Sequence, residues 1–253
     1  MKSILRCAAN IAVVSIVSMP FIRAAAPVDD EILTQIVSPQ SENYYPNLWL
    51  RFEVGDSTLT ADNYHHLYYG YAHQDSYKPL NTNPYMDKFL MLAAGIDLED
   101  PNPEVLKSVI AAGKDALKSD PFSPKIWNLL AFAYGVLGDE ESERMAYLRV
   151  ESILSTIKAS GGGAKESDPH HILMFDHAFD LMTTENLNPT KALIVSRSVE
   201  YIPLVSPVRT AEGQKIKGLY FDFSRIYWNK PDSVTYKRDR TWQFNNLKPR
   251  EYK

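Results

Sequence analysis

Apolar and polar residues alternate at helical spacing through the first 160 residues of the chain. Between Thr60 and His73 the apolar positions recur at i, i+3, i+4 and i+7, and Thr60 is a good N-cap, so the pattern predicts an amphipathic helix. The segment 46–54 alternates like a strand, but Pro46 at its start and Gly55-Asp56 at its end favour a helix. The same analysis predicts further helices at 29–37, after 84, at 103–118, 124–137 and 140–159.

The pattern changes after the run Ser160-Gly161-Gly162-Gly163, which we interpret as a flexible break. Short apolar or alternating runs rich in strand formers follow at 172–175, 192–199 and 216–228. We therefore predict an α+β fold, with antiparallel helical hairpins over 27–160 and a small antiparallel sheet over 164–230. The two parts form one domain, 27–230, followed by a basic tail, 231–253.

The N-terminus has the pattern of an export signal. Lys2 and Arg6 precede an almost uncharged apolar run, and Ala24-Ala25-Ala26 supplies small residues for cleavage. The run is short for a membrane span and contains a proline, so we predict a cleaved signal peptide, 1–26, and no stable membrane insertion afterwards. The expected location is the periplasm or cell envelope. The single cysteine lies inside the signal, which leaves the mature chain without disulfides or a thiol nucleophile.

Charge narrows the range of partners. Removing the three basic residues of the signal leaves 24 basic and 31 acidic residues, a net charge of −7. This balance argues against nucleic acid and against an anionic membrane surface as partners.

Two stretches resemble known families. Ala116-Leu117 with Pro121, followed by Trp127, Leu130-Ala131, Tyr134 and Gly138-Asp139, resembles the joint between two tetratricopeptide repeats, although Glu143 stands where that pattern has alanine. Over most of the mature chain, YYPNLWLRFEVGDSTLTADNYHHLYYGYAHQDSYKP at 44–79 and KIKGLYFDF at 215–223 resemble an uncharacterised family of exported proteins from Bacteroidetes-type gut bacteria. That resemblance implies an envelope setting and a shared fold, and it names no reaction.

No pattern of reactive residues indicates a catalytic centre. The six histidines form two groups, 65/66/73 and 170/171/177, whose spacing along a helix or strand is too long for one metal ion. The chain lacks G-x-S-x-G, H-E-x-x-H and a Cys/His pair. We therefore assign no catalytic residue, no metal and no cofactor.

The tyrosine-rich segment 44–79 is the remaining candidate surface. Tyrosine buries a large ring and still needs a partner for its hydroxyl, so the segment is either an internal scaffold or a recognition groove. Tyr69 and His65 lie off the apolar face of their helix, and we expect them to be exposed. The candidate binding residues are Tyr45, Arg51, His65, Tyr69, Tyr71, Gln74 and Tyr77.

Two classes of function remain open for this chain. The first is a non-enzymatic module that binds an envelope protein or peptide, with glycan binding as an alternative for the same surface. The second is a hydrolase with a His/Asp or His/Tyr pair assembled across the domain, which requires at least two of the histidines in one pocket beside a carboxylate.

Overall fold

The computed structural model describes residues 25–209, 213 and 215–228. Most of the predicted signal segment and all of the predicted tail lie outside these residues. Every helix predicted from the sequence is present, in the order α1 Asp29–Val37, α2 Tyr45–Glu53, α3 Ala61–Tyr71, α4 Met86–Ala94, α5 Pro103–Ala116, α6 Pro124–Leu137 and α7 Glu140–Ala159.

Local sequence signals determine where these helices begin and end. The Thr60 hydroxyl accepts a bond from the Asn63 amide while the Asn63 side chain accepts from the Thr60 amide, which makes a reciprocal capping box. Ser123 and Asp139 cap α6 and α7 with their side chains. Gly138, at φ 80°, takes the left-handed conformation that ends α6 and allows the immediate reversal into α7.

Helix α3 lies at the centre of the main hydrophobic core. It contacts α1, α2 and α7, and its Leu67, Tyr68 and Tyr69 have no exposed surface. A second, smaller core joins α4, α5 and α6 around Phe89, and Gly113 provides the space in which Phe89 and Leu130 meet α5. Consecutive packing of α4 to α7 gives the predicted helical hairpins.

The C-terminal part contains a four-stranded sheet, as the α+β prediction requires. Its strands are β1 His170–His171, β2 Leu193–Ile194, β3 Val199–Arg209 and β4 Lys215–Asp222, in the order β1-β4-β3-β2. The β2-β3 and β3-β4 pairs are antiparallel, but β1 runs parallel to β4. The sheet is therefore mixed and not wholly antiparallel. A 3-10 helix, Ser224–Tyr227, follows β4.

One helix was not predicted. The apolar run 172–175, expected to be a strand, leads into helix α8, Phe175–Thr184. A run of four apolar residues does not distinguish a strand from the entry to a helix, and here Ile172 and Leu173 are buried in the core between β1 and α8.

The glycine run is an ordered turn, so its interpretation as a flexible break is wrong. The Gly163 amide donates to the Asp168 carbonyl, and the Tyr220 amide donates to the Gly163 carbonyl, both at 2.8 Å. A Cβ at Gly161 would overlap the Pro169 carbonyl oxygen. The turn therefore needs glycine because two backbone segments approach each other closely.

Candidate functional site

An open groove lies between α2, α5, α6 and α7. Its volume is about 720 Å³, within the range of ligand-binding clefts. Helix α2 contributes one wall, the C-terminal half of α5 another, and α6 with the start of α7 the third. The lining combines aromatic, apolar and charged side chains: Trp49, Phe52, Glu53, Val54, Gly55, Tyr71, Ser76, Lys114, Leu117, Lys118, Pro121, Trp127, Tyr134, Glu141, Ser142, Met145 and Arg149.

The aromatic side chains of the groove are held by stacking and hydrogen bonds. Trp49 stacks on Tyr45 and on Tyr71, each at 6.2 Å between ring centroids. The Trp127 indole donates to the Pro121 carbonyl oxygen at 2.8 Å. Each tryptophan side chain is only half-buried, so part of it borders the groove. The groove is thus pre-formed, which reduces the entropy that a ligand must lose on binding.

Arg149 joins the walls of the groove. Its guanidinium lies 4.2 Å from the Trp127 ring centroid and 4.9 Å from that of Phe52. Its Nη2 donates at 2.6 Å to the Phe52 carbonyl near the end of α2, which also accepts from the Gly55 amide at 3.2 Å. Burial lowers the pKa of Arg149. The charge therefore fixes α2 against α6 and α7.

The structure places four of the seven predicted binding residues inside the protein. Tyr45, Tyr69, Tyr71 and Tyr77 are all buried. The Tyr69 hydroxyl donates to the His171 carbonyl at 3.1 Å, and Tyr77 donates to the Leu173 carbonyl at 2.8 Å. The expectation that Tyr69 is exposed is wrong, because α3 is surrounded by other helices and has no solvent-facing side at this position.

The other three predicted residues make local contacts near the surface. Arg51 pairs with Asp56 at 2.7 Å. Hydrogen bonds from the Thr58 hydroxyl and from Arg51 lower the pKa of Asp56 to about 2. His65 is half-buried, and burial lowers its pKa to about 4. Gln74 donates to the Gly70 carbonyl at 3.1 Å.

The predicted set therefore does not form one site. Tyr71 borders the large groove, whereas Gln74 and Tyr77 border a separate depression of about 590 Å³ near Trp228.

His177 makes the most suggestive polar contacts of any histidine. Its Nδ1 is 2.8 Å from the Tyr68 hydroxyl, and its Nε2 is 3.1 Å from the Asp120 carboxylate. Although burial opposes the charged imidazole, the carboxylate of Asp120 outweighs it and raises the pKa of His177. A Tyr-His-Asp chain can move a proton, but Tyr68 has no exposed surface and its hydroxyl also accepts from the Leu173 amide. In this geometry the hydrogen bonds among Tyr68, His177 and Asp120 join α3, α8 and the loop before α6.

The remaining histidines lie apart from the groove. His170 and His171 are neutral at physiological pH, because burial lowers the pKa of each to about 4. The Nδ1 of His171 accepts from Arg225 at 3.2 Å. Within residues 25–209, 213 and 215–228, no group of three or more His, Cys, Asp or Glu side chains is placed to hold a metal ion.

A comparison with protein families assigns the chain. The family model described as "Domain of unknown function (DUF4919)" matches residues 30–231. The chain belongs to this family. The match confirms the predicted membership in an uncharacterised family, and it covers the helical part and the sheet together. No curated protein matches the chain, and no solved structure matches it.

The sequence analysis missed the groove because each of its residues has a second explanation. Trp127 and Tyr134 were interpreted as part of the tetratricopeptide-like pattern, and Lys114 was not singled out. Arg149 was not singled out at all. Tryptophan and tyrosine on helices that also carry lysines are a signal of a binding groove. Only the packing of the four helices shows that these positions come together.

Proposed function

We propose that the protein is a non-enzymatic module that binds an extended peptide, or an exposed segment of another protein, in the groove between α2, α5, α6 and α7. The observation that carries the proposal is the pre-formed cavity of about 720 Å³, bordered by Trp49, Trp127 and Tyr134. Partly exposed aromatic side chains in a concave surface are typical of the anchoring positions of peptide-binding sites.

The orientation of the rings favours a peptide over a glycan. Sugars stack on free aromatic faces, but Arg149 covers a face of Trp127, and Trp49 already stacks on two tyrosines. The ring edges and the space between the rings remain for a ligand. An apolar side chain of a peptide fits such a space.

The positions of the histidines support binding over hydrolysis. No histidine borders the large groove, and the depressions that include His66 or His73 contain a single histidine each. His177, which pairs with Asp120, has a side chain that is only 1% exposed.

Export to the cell envelope is part of the same proposal and is supported by the N-terminal sequence alone. Within the described residues, no helix has both the length and the apolar character required to cross a bilayer. Cell fractionation of the full chain, beside a variant in which Lys2 and Arg6 are replaced by Glu, tests it. We expect export of the full chain and retention of the variant, and equal distribution of both would contradict export.

The test of binding is to block the groove. Peptides selected from a random display library on the wild-type protein are measured by fluorescence anisotropy on Ser142→Phe. Ser142 borders the groove near the start of α7, where its backbone amide and its side chain both bond the Asp139 carboxylate that caps the helix, and Ser142→Phe keeps the backbone bond. We expect the bulky ring to weaken binding at least about tenfold, the loss of about one anchoring contact.

Ser108→Phe is the matched control, because Ser108 is exposed on α5 outside the groove. It should bind like the wild type. Enriched peptides that bind Ser142→Phe as tightly as the wild type, or the absence of any enrichment, would contradict the proposal.

A further inference from the structure

The groove lining has more cations than carboxylates, although the protein as a whole is acidic. Between residues 25 and 228 the chain has 17 basic residues, since three of the 27 precede this region and seven follow it. The same region has 28 of the 31 acidic residues, which gives it a net charge of −11. The groove lining nevertheless contains three cations, Lys114, Lys118 and Arg149, and only two carboxylates, Glu53 and Glu141.

The cations are not equally available to a ligand. Arg149 is committed to the Phe52 carbonyl and to the Trp127 ring. Lys118 pairs with Asp115 at 2.7 Å. Lys114 is exposed, and its Nζ lies 5.9 Å from the centroid of the Tyr134 ring, which itself borders the groove. Lys114 is therefore the charge that a ligand meets first, with Lys118 one helical turn further along the same wall.

The apolar part of the groove lies beside this basic wall. Leu117 is the C-cap of α5, the helix that carries Lys114, while Trp127 and Met145 lie on α6 and α7. A ligand that fills the groove therefore meets apolar contacts and cations together. Cations on a protein with a negative net charge attract negative groups of a ligand and repel positive ones in their vicinity.

We propose, building on the function proposed above, that the groove selects an acidic peptide segment in which an apolar side chain lies next to carboxylates. The apolar side chain inserts between the aromatic residues, and the carboxylates lie against Lys114 and Lys118. Glu53 and Glu141 border the groove on the side away from α5. Their carboxylates would repel further acidic residues of the peptide on that side. The groove thus discriminates by charge as well as by shape.

Three capped synthetic peptides of equal length test the selection, each with a central Phe flanked by Glu, by Gln or by Lys. We expect the Glu peptide to bind about tenfold more tightly than the Gln peptide, since two exposed charge pairs contribute up to about fivefold each. The Lys peptide should bind most weakly. The preference for the Glu peptide over the Gln peptide should decrease as the salt concentration is raised, because salt screens exposed charges.

Variants of single charges assign the preference to the groove. Lys114→Gln should reduce the affinity for the Glu peptide about threefold and leave the affinity for the Gln peptide unchanged. Glu141→Gln should increase the affinity for the Glu peptide about twofold. Lys107→Gln is the matched control, because Lys107 is exposed on the same helix outside the groove. Lys107→Gln should change the affinity for neither peptide.

The two proposals fail in different ways. If the Gln or Lys peptide binds as tightly as the Glu peptide, and Ser142→Phe abolishes that binding, the groove takes peptides but does not select acids. Equal effects of Lys114→Gln and Lys107→Gln would also overturn the selection. If none of the three peptides binds, peptide binding itself is contradicted.

Discussion

Glu200 is a buried carboxyl group in β3 for which we expect a measurable cost of ionisation. Its side chain is 4% exposed, and its Oε1 has no hydrogen-bond partner within the described part of the chain. In the sheet it lies between Phe221 of β4 and Ile194 of β2, in a row of apolar side chains. Burial raises the pKa of Glu200 from 4.5 to about 7.

The shift in pKa converts into a change of stability with pH. Below pH 4.5 the carboxyl is protonated in both the folded and the unfolded chain and costs nothing. Between 4.5 and about 7 the unfolded chain releases the proton while the folded chain keeps it, so the free energy of unfolding decreases as pH rises. At about 1.4 kcal/mol for each pH unit, the full loss is about 3 kcal/mol.

Glu200→Gln removes the titration and keeps the shape of the side chain. Urea unfolding of both proteins at pH 5 and pH 8 measures the effect. We expect the wild type to lose about 2–3 kcal/mol more than the variant between these two values. Glu166→Gln, at an exposed position, is the control and should follow the wild type. Parallel behaviour of the wild type and Glu200→Gln would show that the folded protein solvates or pairs this carboxylate.

Two further substitutions test what joins the distant parts of the fold. Arg225 is 3% exposed and donates to the Asp29 carboxylate at 2.7 Å and to the Pro27 carbonyl at 3.0 Å. Arg225→Met should therefore lower the free energy of unfolding by about 2–3 kcal/mol. This is less than the loss of a fully buried ion pair would cost, because Asp29 is partly solvated. Urea unfolding measures it, and additivity with Asp29→Asn would contradict a direct coupling. Gly161→Ala should lower the free energy of unfolding by more than about 2 kcal/mol, because the new methyl group meets the Pro169 carbonyl. Gly162→Ala should lower it by less than about 1 kcal/mol, because its methyl group meets only the exposed Asp168 side chain. Equal shifts in melting temperature for the two variants would contradict the close-approach explanation.

Much of the helical architecture could be predicted because its signals are local. The Thr60 cap, the Ser123-Pro124 start and the left-handed Gly138 act through neighbouring backbone groups, so a single stretch of sequence contains all the information. The family resemblance depended on 44–79 and 215–223, and the matched family covers both.

Predictions that required non-local information were less accurate. The run 172–175 was interpreted as a strand, and helix α8 after it was not predicted, because a short apolar run has no diagnostic period. Gly161 and Gly163 were interpreted as flexible, since nothing nearby in the sequence shows that residues 168–170 approach them. The parallel pairing of β1 with β4 joins residues about fifty positions apart and was equally hidden.

The sequence by itself determined the helical periods, the caps, the overall charge and the membership in a family, because each depends on residue identity and on spacing over a few turns. Only the tertiary structure decided that the tyrosines of α3 face a closed core and that Trp127, Lys114 and Arg149 meet around an open groove. Whether an aromatic side chain is buried or exposed depends on which helices surround it. That arrangement results from the packing of the whole domain, which no local pattern records.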